Sequence, residues 1–221
     1  MRAPAAALAA FALIGAAGSA SAAPSAYDIA FVAEFEKACV PGRLRYETSL
    51  QAAAAAGWAV VALDVHPELK AIMEFAETET LDDDFTEATF DATVYSKEID
   101  GTAHHLVVSR ASAIIGDRDD PLNPWVFLAC HLYNLDATVP LDPAPVTALI
   151  GNPISATHPG PGGAIAHVWG PPCPMPRTGD TYLSFIPEGS PLAGTVPFTG
   201  VALNFSTSEL DPGAEPPDPY C

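Results

Sequence analysis

Apolar residues recur at helical spacing in the first third of the chain and alternate with period two in much of the rest. In "SAYDIAFVAEFEKACV", Ile29, Val32, Phe35 and Cys39 fall on one helical face, and Ser25 stands where an N-cap belongs. Pro41-Gly42 ends the pattern. "RLRYETSLQAAAAAG" predicts a second helix with a slim packing face of Leu44, Thr48 or Leu50, and the alanines. Gly57 stops it, because glycine takes the left-handed C′ conformation cheaply. Trp58 follows as a large core anchor. Pro67 opens a third helix, "PELKAIMEFAE", at the first helical position, where its missing N–H is not needed.

Beyond the acidic stretch "TETLDDDFTEA", the run "TFDATVYSKEIDGTAHHLVVSRASA" reads as two strands around Asp100-Gly101, a two-residue hairpin turn. That turn sets a register in which Asp91 faces Arg110, Val94 faces Val107, Ser96 faces His105 and Lys97 faces His104. Strand alternation then sends the adjacent His104 and His105 to opposite faces, so they cannot share a metal ion. His105 is expected near the edge of the core, bonded to Ser96 or to backbone. Further strands are predicted at "WVFLACHLYNL", "AIAHVWG", "DTYLSFI" and "TGVALNFS". A short helix is predicted at "DPAPVTALIG", with Asp142 as cap and Pro143 first in the helix. In "WVFLACHLY", Val126, Leu128, Cys130 and Leu132 form the core-facing set, and Trp125, Phe127, His131 and Tyr133 the other. The segments "THPGPGG", "GPPCPMPR" and "DPGAEPPDPYC" read as loops. The prediction is an α+β fold: N-terminal helices on one face of a mostly antiparallel sheet of about six strands, stapled by disulfides.

The ends and the charge locate this domain. One basic residue, an apolar run from Ala5 to Ala17 and the small-residue finish Ala20-Ser21-Ala22 make residues 1–22 a signal peptide cleaved after Ala22. A cut after Ala23 would place Pro24 behind the scissile bond. Residues 23–206 are read as a single α+β domain, and 207–221 as a Pro-rich tail tethered by Cys221. No later apolar run reaches about 18 residues, so no integral membrane segment is expected after cleavage. The formal net charge of −18 becomes one unit more negative when Arg2 is lost, and repels both nucleic acid and anionic membrane surfaces. The expected location is periplasmic or secreted.

Cys39, Cys130, Cys173 and Cys221 are even in number and sit in an exported chain, which makes disulfides the default. Three pairings are open. Cys39–Cys130 with Cys173–Cys221 is favoured, since the first joins the two most regular regions and the second pins the tail. By the loop-entropy model each bridge contributes roughly 4 kcal/mol. No C-x-x-C pair points to redox catalysis.

Candidate chemistry is sparse. His131, His158 and His167 with a carboxylate are the candidate metal ligands of a site assembled only in space; H-E-x-x-H and C-x-x-C elements are absent. His158 lies in a Gly-rich loop, where function often resides. His167, Cys173 and Met175 are soft ligands, but their order is not that of a blue-copper loop, and a disulfide would remove Cys173. The acidic runs "LDDDFTE" and "GDRDDPLN" invite a calcium reading, but "DRDDPLN" lacks the glycine at position six and the bidentate glutamate at twelve of an EF-hand loop. There is no G-x-S-x-G elbow, and "GPGGA" is followed by no phosphate-binding lysine. No catalytic residue and no cofactor are expected.

A first helix carrying a cysteine, "AAGW" ending the second, then "LVVSR", "CHLYNLD" and "VTALIG" in that order resemble a recurring type of small exported alphaproteobacterial protein. The resemblance spans Phe31 to Trp169. It implies a fold and a compartment, and transfers no activity and no catalytic residues. The expected function is that of a non-enzymatic exported binding or accessory protein, whose partner is an envelope protein or a small molecule. The alternative is a metal-dependent hydrolase using His131, His158 and His167. N-terminal sequencing of exported protein is expected to begin at Ala23; a chain retaining Met1 in the exported fraction would refute the cleavage assignment.

Overall fold

Ser25 begins the first element, as its position before the apolar repeat requires. The computed structural model describes residues 23–81, 86–114 and 125–219. Ser25 Oγ accepts from the Asp28 amide at 3.1 Å, and the Asp28 carboxylate accepts from the Ser25 amide at 2.8 Å. This reciprocal pair starts helix α1, Ala26–Cys39. Helix α2 covers Tyr46–Ala55 and buries Ser49 and Ala53; Thr48, one of its predicted packing residues, bonds the Gly42 and Arg45 carbonyls instead. Gly57 ends the helical stretch at φ +83°, the left-handed conformation expected there. Helix α3, Pro67–Thr80, has Pro67 in its first turn, and His66 caps it by accepting the Glu68 amide proton at Nδ1. Helix α4 is Ala144–Ile150; Pro143, predicted as its first residue, stands just outside, and Asp142 accepts the Ala144 amide proton at 2.8 Å.

Among the described residues the strands number eight, not about six. They are β1 Ala59–Val60, β2 Thr86–Ile99, β3 Thr102–Ile114, β4 Trp125–Asn134, β5 Ala156–Pro159, β6 Ile165–Trp169, β7 Thr178–Ile186 and β8 Gly200–Ser208. They form one antiparallel sheet in the order β1-β2-β3-β4-β8-β7-β6-β5. The additional strands, β1 and β5, are the two edges. Each is too short to show alternation in sequence, and β5 ends at Pro159, which an edge tolerates because its outer side needs no donor. The hairpin register is the predicted one: Asp91 opposite Arg110, Val94 opposite Val107 and Lys97 opposite His104.

Pleat alternation divides the sheet into two differently covered faces. On the first, Tyr95, Leu106, Val108, Cys130, Leu132, Leu203, Phe205, Leu183 and Trp169 pack with Phe31, Phe35 and Cys39 of α1, Ala53 of α2 and Val146 and Ile150 of α4. Trp58 is buried in the same cluster, as expected of an anchor. On the second face, Leu69, Ile72 and Met73 of α3 cover Val94, Val107, Tyr133 and Ala202. The expectation that all helices share one face therefore fails for α3. Val94 and Val107 are too apolar to leave in water, and α3 carries an apolar stripe of its own.

Three ties hold the first layer to the sheet. Cys39 is bonded to Cys130, with the Cα atoms 5.8 Å apart across 91 residues of sequence. Lys97 donates to Glu34 on α1 and to the Ala56 carbonyl at the end of α2, with its ammonium 5.9 Å from the centre of the Trp58 ring. Glu209 accepts from Arg110 and from the Tyr46 amide, both at 2.9 Å, and the Leu210 amide donates to the Leu44 carbonyl. The chain is thus held well past residue 206 by hydrogen bonds. Cys173 is also disulfide-bonded; Cys221, its proposed partner, lies outside the described residues. Opening the Cys39–Cys130 loop by the double substitution C39A/C130A is expected to lower the unfolding free energy by about 2–4 kcal/mol, read from urea midpoints under conditions where the wild type stays oxidised. An unchanged midpoint would show that the bond is not structural.

Candidate functional site

His104 and His105 leave the hairpin in opposite directions, and their surroundings differ accordingly. His104 is fully buried on the helix-covered face. Its Nδ1 lies 2.8 Å from the Thr102 carbonyl oxygen and must carry the proton, so Nε2 accepts from the Tyr27 hydroxyl at 2.7 Å. The Tyr27 oxygen accepts in turn from the Asn134 amide, and Asn134 Oδ1 accepts from the Asp136 amide. This chain joins α1, β3 and β4 with each imidazole nitrogen satisfied. It is a structural network and presents no free group to a substrate.

His105 lies on the other face, 7% exposed, with its ring 5.9 Å from that of His66. The Ser96 hydroxyl donates to the His104 carbonyl rather than to His105, whose Nδ1 is buried without a partner. Beside this pair opens a cleft of about 520 Å³ lined by His66, Glu68, Asp136, Thr138, Glu188 and Thr199, among others. Glu68 is already engaged: its two oxygens accept from the Thr199 hydroxyl and amide at 2.8 and 2.9 Å. That carboxylate ties α3 to the approach to β8.

The three histidines proposed as metal ligands are not brought together. His131 is in register with Asn204 and Val107, on the face that α3 partly covers. His158 projects from the same face on β5, four strands away and roughly 19 Å distant at ordinary strand spacing. His167 projects from the opposite face and meets Thr157 Oγ1 at 3.0 Å. Among the described residues no group of three or more His, Cys, Asp or Glu side chains is arranged to hold a metal ion. The soft-ligand grouping also dissolves, since Met175 is buried in the core and Cys173 is disulfide-bonded. Of the acidic residues in the two runs, Glu87 is described, and the others fall outside the described residues.

His158 is a strand residue, not part of a mobile loop, and it borders an apolar cavity. A cavity of about 360 Å³ is lined by His158, Ala166, Phe185, Ile186, Leu192 and Phe198, among others. Two 3₁₀ turns, Pro161–Gly163 and Pro191–Gly194, form one of its walls. They lock together through Ser190, whose hydroxyl donates to the Pro161 carbonyl at 3.0 Å. Gly160 leaves this junction tightly packed: a Cβ there would stand 3.0 Å from Leu192 Cδ1 and 3.1 Å from the Ala164 Cβ. Sequence reasoning reached His158 and missed Leu192, Val196 and Phe198, which lie in an irregular segment with no periodicity to mark them as lining.

Burial lowers the basicity of His104, His105, His131 and His167, and takes His131 to about 4. Each has an unfolded value near about 6.5. Above that pH both states are neutral and the full stability is present; below it the unfolded chain binds protons that the folded chain does not. Stability should therefore fall as pH drops from about 6.5 towards 4, and His131→Gln should reduce the loss by about 1–2 kcal/mol, since part of the residue still reaches solvent. Urea midpoints measured across that range check this; identical slopes for the two proteins would contradict it.

Comparison of the chain with protein-family models, with curated proteins and with solved structures finds no match.

Proposed function

We propose that this is a non-enzymatic exported binding protein, periplasmic or secreted, whose ligand is a compact apolar small molecule held in the cavity beside His158. The cavity carries the reading. Its volume of about 360 Å³ lies within the usual range for small-molecule sites, and its walls are aliphatic, aromatic, proline or glycine except at His158 and Ser184. Apolar walls bind by removing ligand surface from water, and an imidazole at the rim orients one polar group of the ligand. Export is supported by the leader-like first 22 residues, by the disulfide between Cys39 and Cys130, and by the resemblance to small exported alphaproteobacterial proteins. The dispersal of His131, His158 and His167 removes the specific arrangement on which the hydrolase alternative rested.

The test uses N-phenyl-1-naphthylamine, a neutral apolar fluorophore. Saturable enhancement at one equivalent per chain is expected, with at least a tenfold loss of affinity in Ala166→Trp, which fills the cavity from its sheet floor. Absence of saturation, or equal binding by the filled variant, would refute the assignment.

A further inference from the structure

His66 stands at a junction that two open spaces share. The cleft beside it and the apolar cavity beside His158 meet along two stretches of wall. Ile186 and Phe198 line the cavity, and Pro187 and Thr199, each next in sequence, line the cleft. Thr199 is held from the helix side, by its hydroxyl and amide on the Glu68 carboxylate. Gly200 anchors the far end of this segment, since a Cβ there would overlap the Asn134 carbonyl oxygen. Glu68 is placed in turn by the cap of α3: its amide donates to Nδ1 of His66 at 3.3 Å. A ring nitrogen accepts that bond only while it carries no proton. Protonation turns the acceptor into a donor facing a donor, and the cap is lost.

The cleft offers the charged ring another position. Glu68, Asp136 and Glu188 are the charged groups among its lining residues, and none of these residues is lysine or arginine. On the sheet side stands His105, its ring 5.9 Å from that of His66 and its buried Nδ1 without a partner. Burial first, then the His66 and His104 imidazoles, hold His105 below the ordinary histidine value, against the pull of Asp136. The cross-strand neighbours of His105 add no charge: Ser96 has none, and burial keeps the Tyr133 phenol protonated. A charge on His66 is thus opposed where the ring caps α3 and favoured across the cleft. We propose that His66 is an acid-sensitive latch on the apolar cavity: neutral, it caps α3 and holds Glu68 on Thr199; protonated, it turns to Asp136 and Glu188, and the Glu68–Thr199 tie loosens. This regulation rests on the reading of the cavity as a ligand site. Phe198 carries the change to that site, because it packs edge-on against Tyr133, with ring centres 5.8 Å apart, and lines the cavity beside Thr199. An ordinary imidazole changes charge between about pH 5 and 8, so the ligand is held near neutrality and released in mild acid.

Amide hydrogen exchange and N-phenyl-1-naphthylamine titration of the full mature chain at pH 7.5 and 5.0 test the latch, with exchange corrected for the intrinsic effect of pH. The Thr199 amide, which bonds Glu68, and the Lys70 amide, which bonds the His66 carbonyl, report on it directly. At pH 5.0 both are expected to lose at least tenfold more protection than the amides that pair β3 with β4, and the fluorophore to bind at least fivefold more weakly. His66→Asn caps a helix without titrating, and should reduce both differences to less than twofold. His158→Gln should keep the acid loss, which separates the latch from the imidazole in the cavity wall. The latch is overturned if Thr199 loses no more protection than the β3–β4 amides, or if His66→Asn responds to acid as the wild type does. It is also overturned if His158→Gln abolishes the loss of affinity. Failure of the fluorophore to bind at pH 7.5 would instead refute the cavity as a ligand site, and the Thr199 exchange would still decide whether His66 is a switch.

Discussion

Cys39 reaches Cys130 only because both side chains lie between α1 and the centre of the sheet, and that constraint organises the molecule. β4 has strands on both sides, β3 and β8, so the bond fastens the end of α1 to the middle of the sheet rather than to an edge. Once Cys130 faces α1, the pleat requires Leu128 and Leu132 to do the same, and cross-strand pairing extends that parity to Val108, Phe205 and Leu203. Phe35 then meets Phe205 edge to face, with ring centres 5.2 Å apart. The same parity commits His131 and Tyr133 to the opposite side. Which side chains the second face presents is thus decided by what the first face buries.

The histidines show how burial sorts polar groups. His104 is in the driest position and has every hydrogen bond its neutral ring can make. A buried polar ring without partners would cost about 1–3 kcal/mol, so the Tyr27–Asn134 chain is what makes the site tolerable. His105, one residue on, has a partnerless Nδ1 and a second imidazole against it. The two therefore respond to acid for the same first reason, burial, but only His105 also feels a neighbouring imidazole that disfavours its charge. Glu34 belongs to the same balance with the opposite charge: burial raises its carboxyl, and hydrogen bonds from Lys37 and Lys97 outweigh that and hold it low.

The surfaces left for function are those that the core does not use. The cavity beside His158 lies where short edge strands and two 3₁₀ turns fail to close over the sheet. The lining of that cavity carries no carboxylate, lysine or arginine in a chain of net charge −18.

Local patterns determined a large part of this architecture from sequence alone. The Ser25 cap, the Gly57 stop, Pro67 in the first turn of α3 and the Asp100-Gly101 turn each depend on interactions within a few residues. The hairpin register follows from the turn by counting, and with it the separation of His104 from His105. The parity of "WVFLACHLY" turned Cys130 toward the helices, consistent with the favoured Cys39–Cys130 pairing that the structure shows. Only tertiary structure decided the rest. Whether α3 sits on the first face or the second depends on which apolar patches remain uncovered, and its own stripe fits either. β5 pairs with β6 because the chain turns back through Pro161–Gly163, and four residues ending in proline carry no alternation to announce it. The distances among His131, His158 and His167 are set by strand order, a non-local property. The cavity, similarly, is the space between segments that meet only when the sheet has formed.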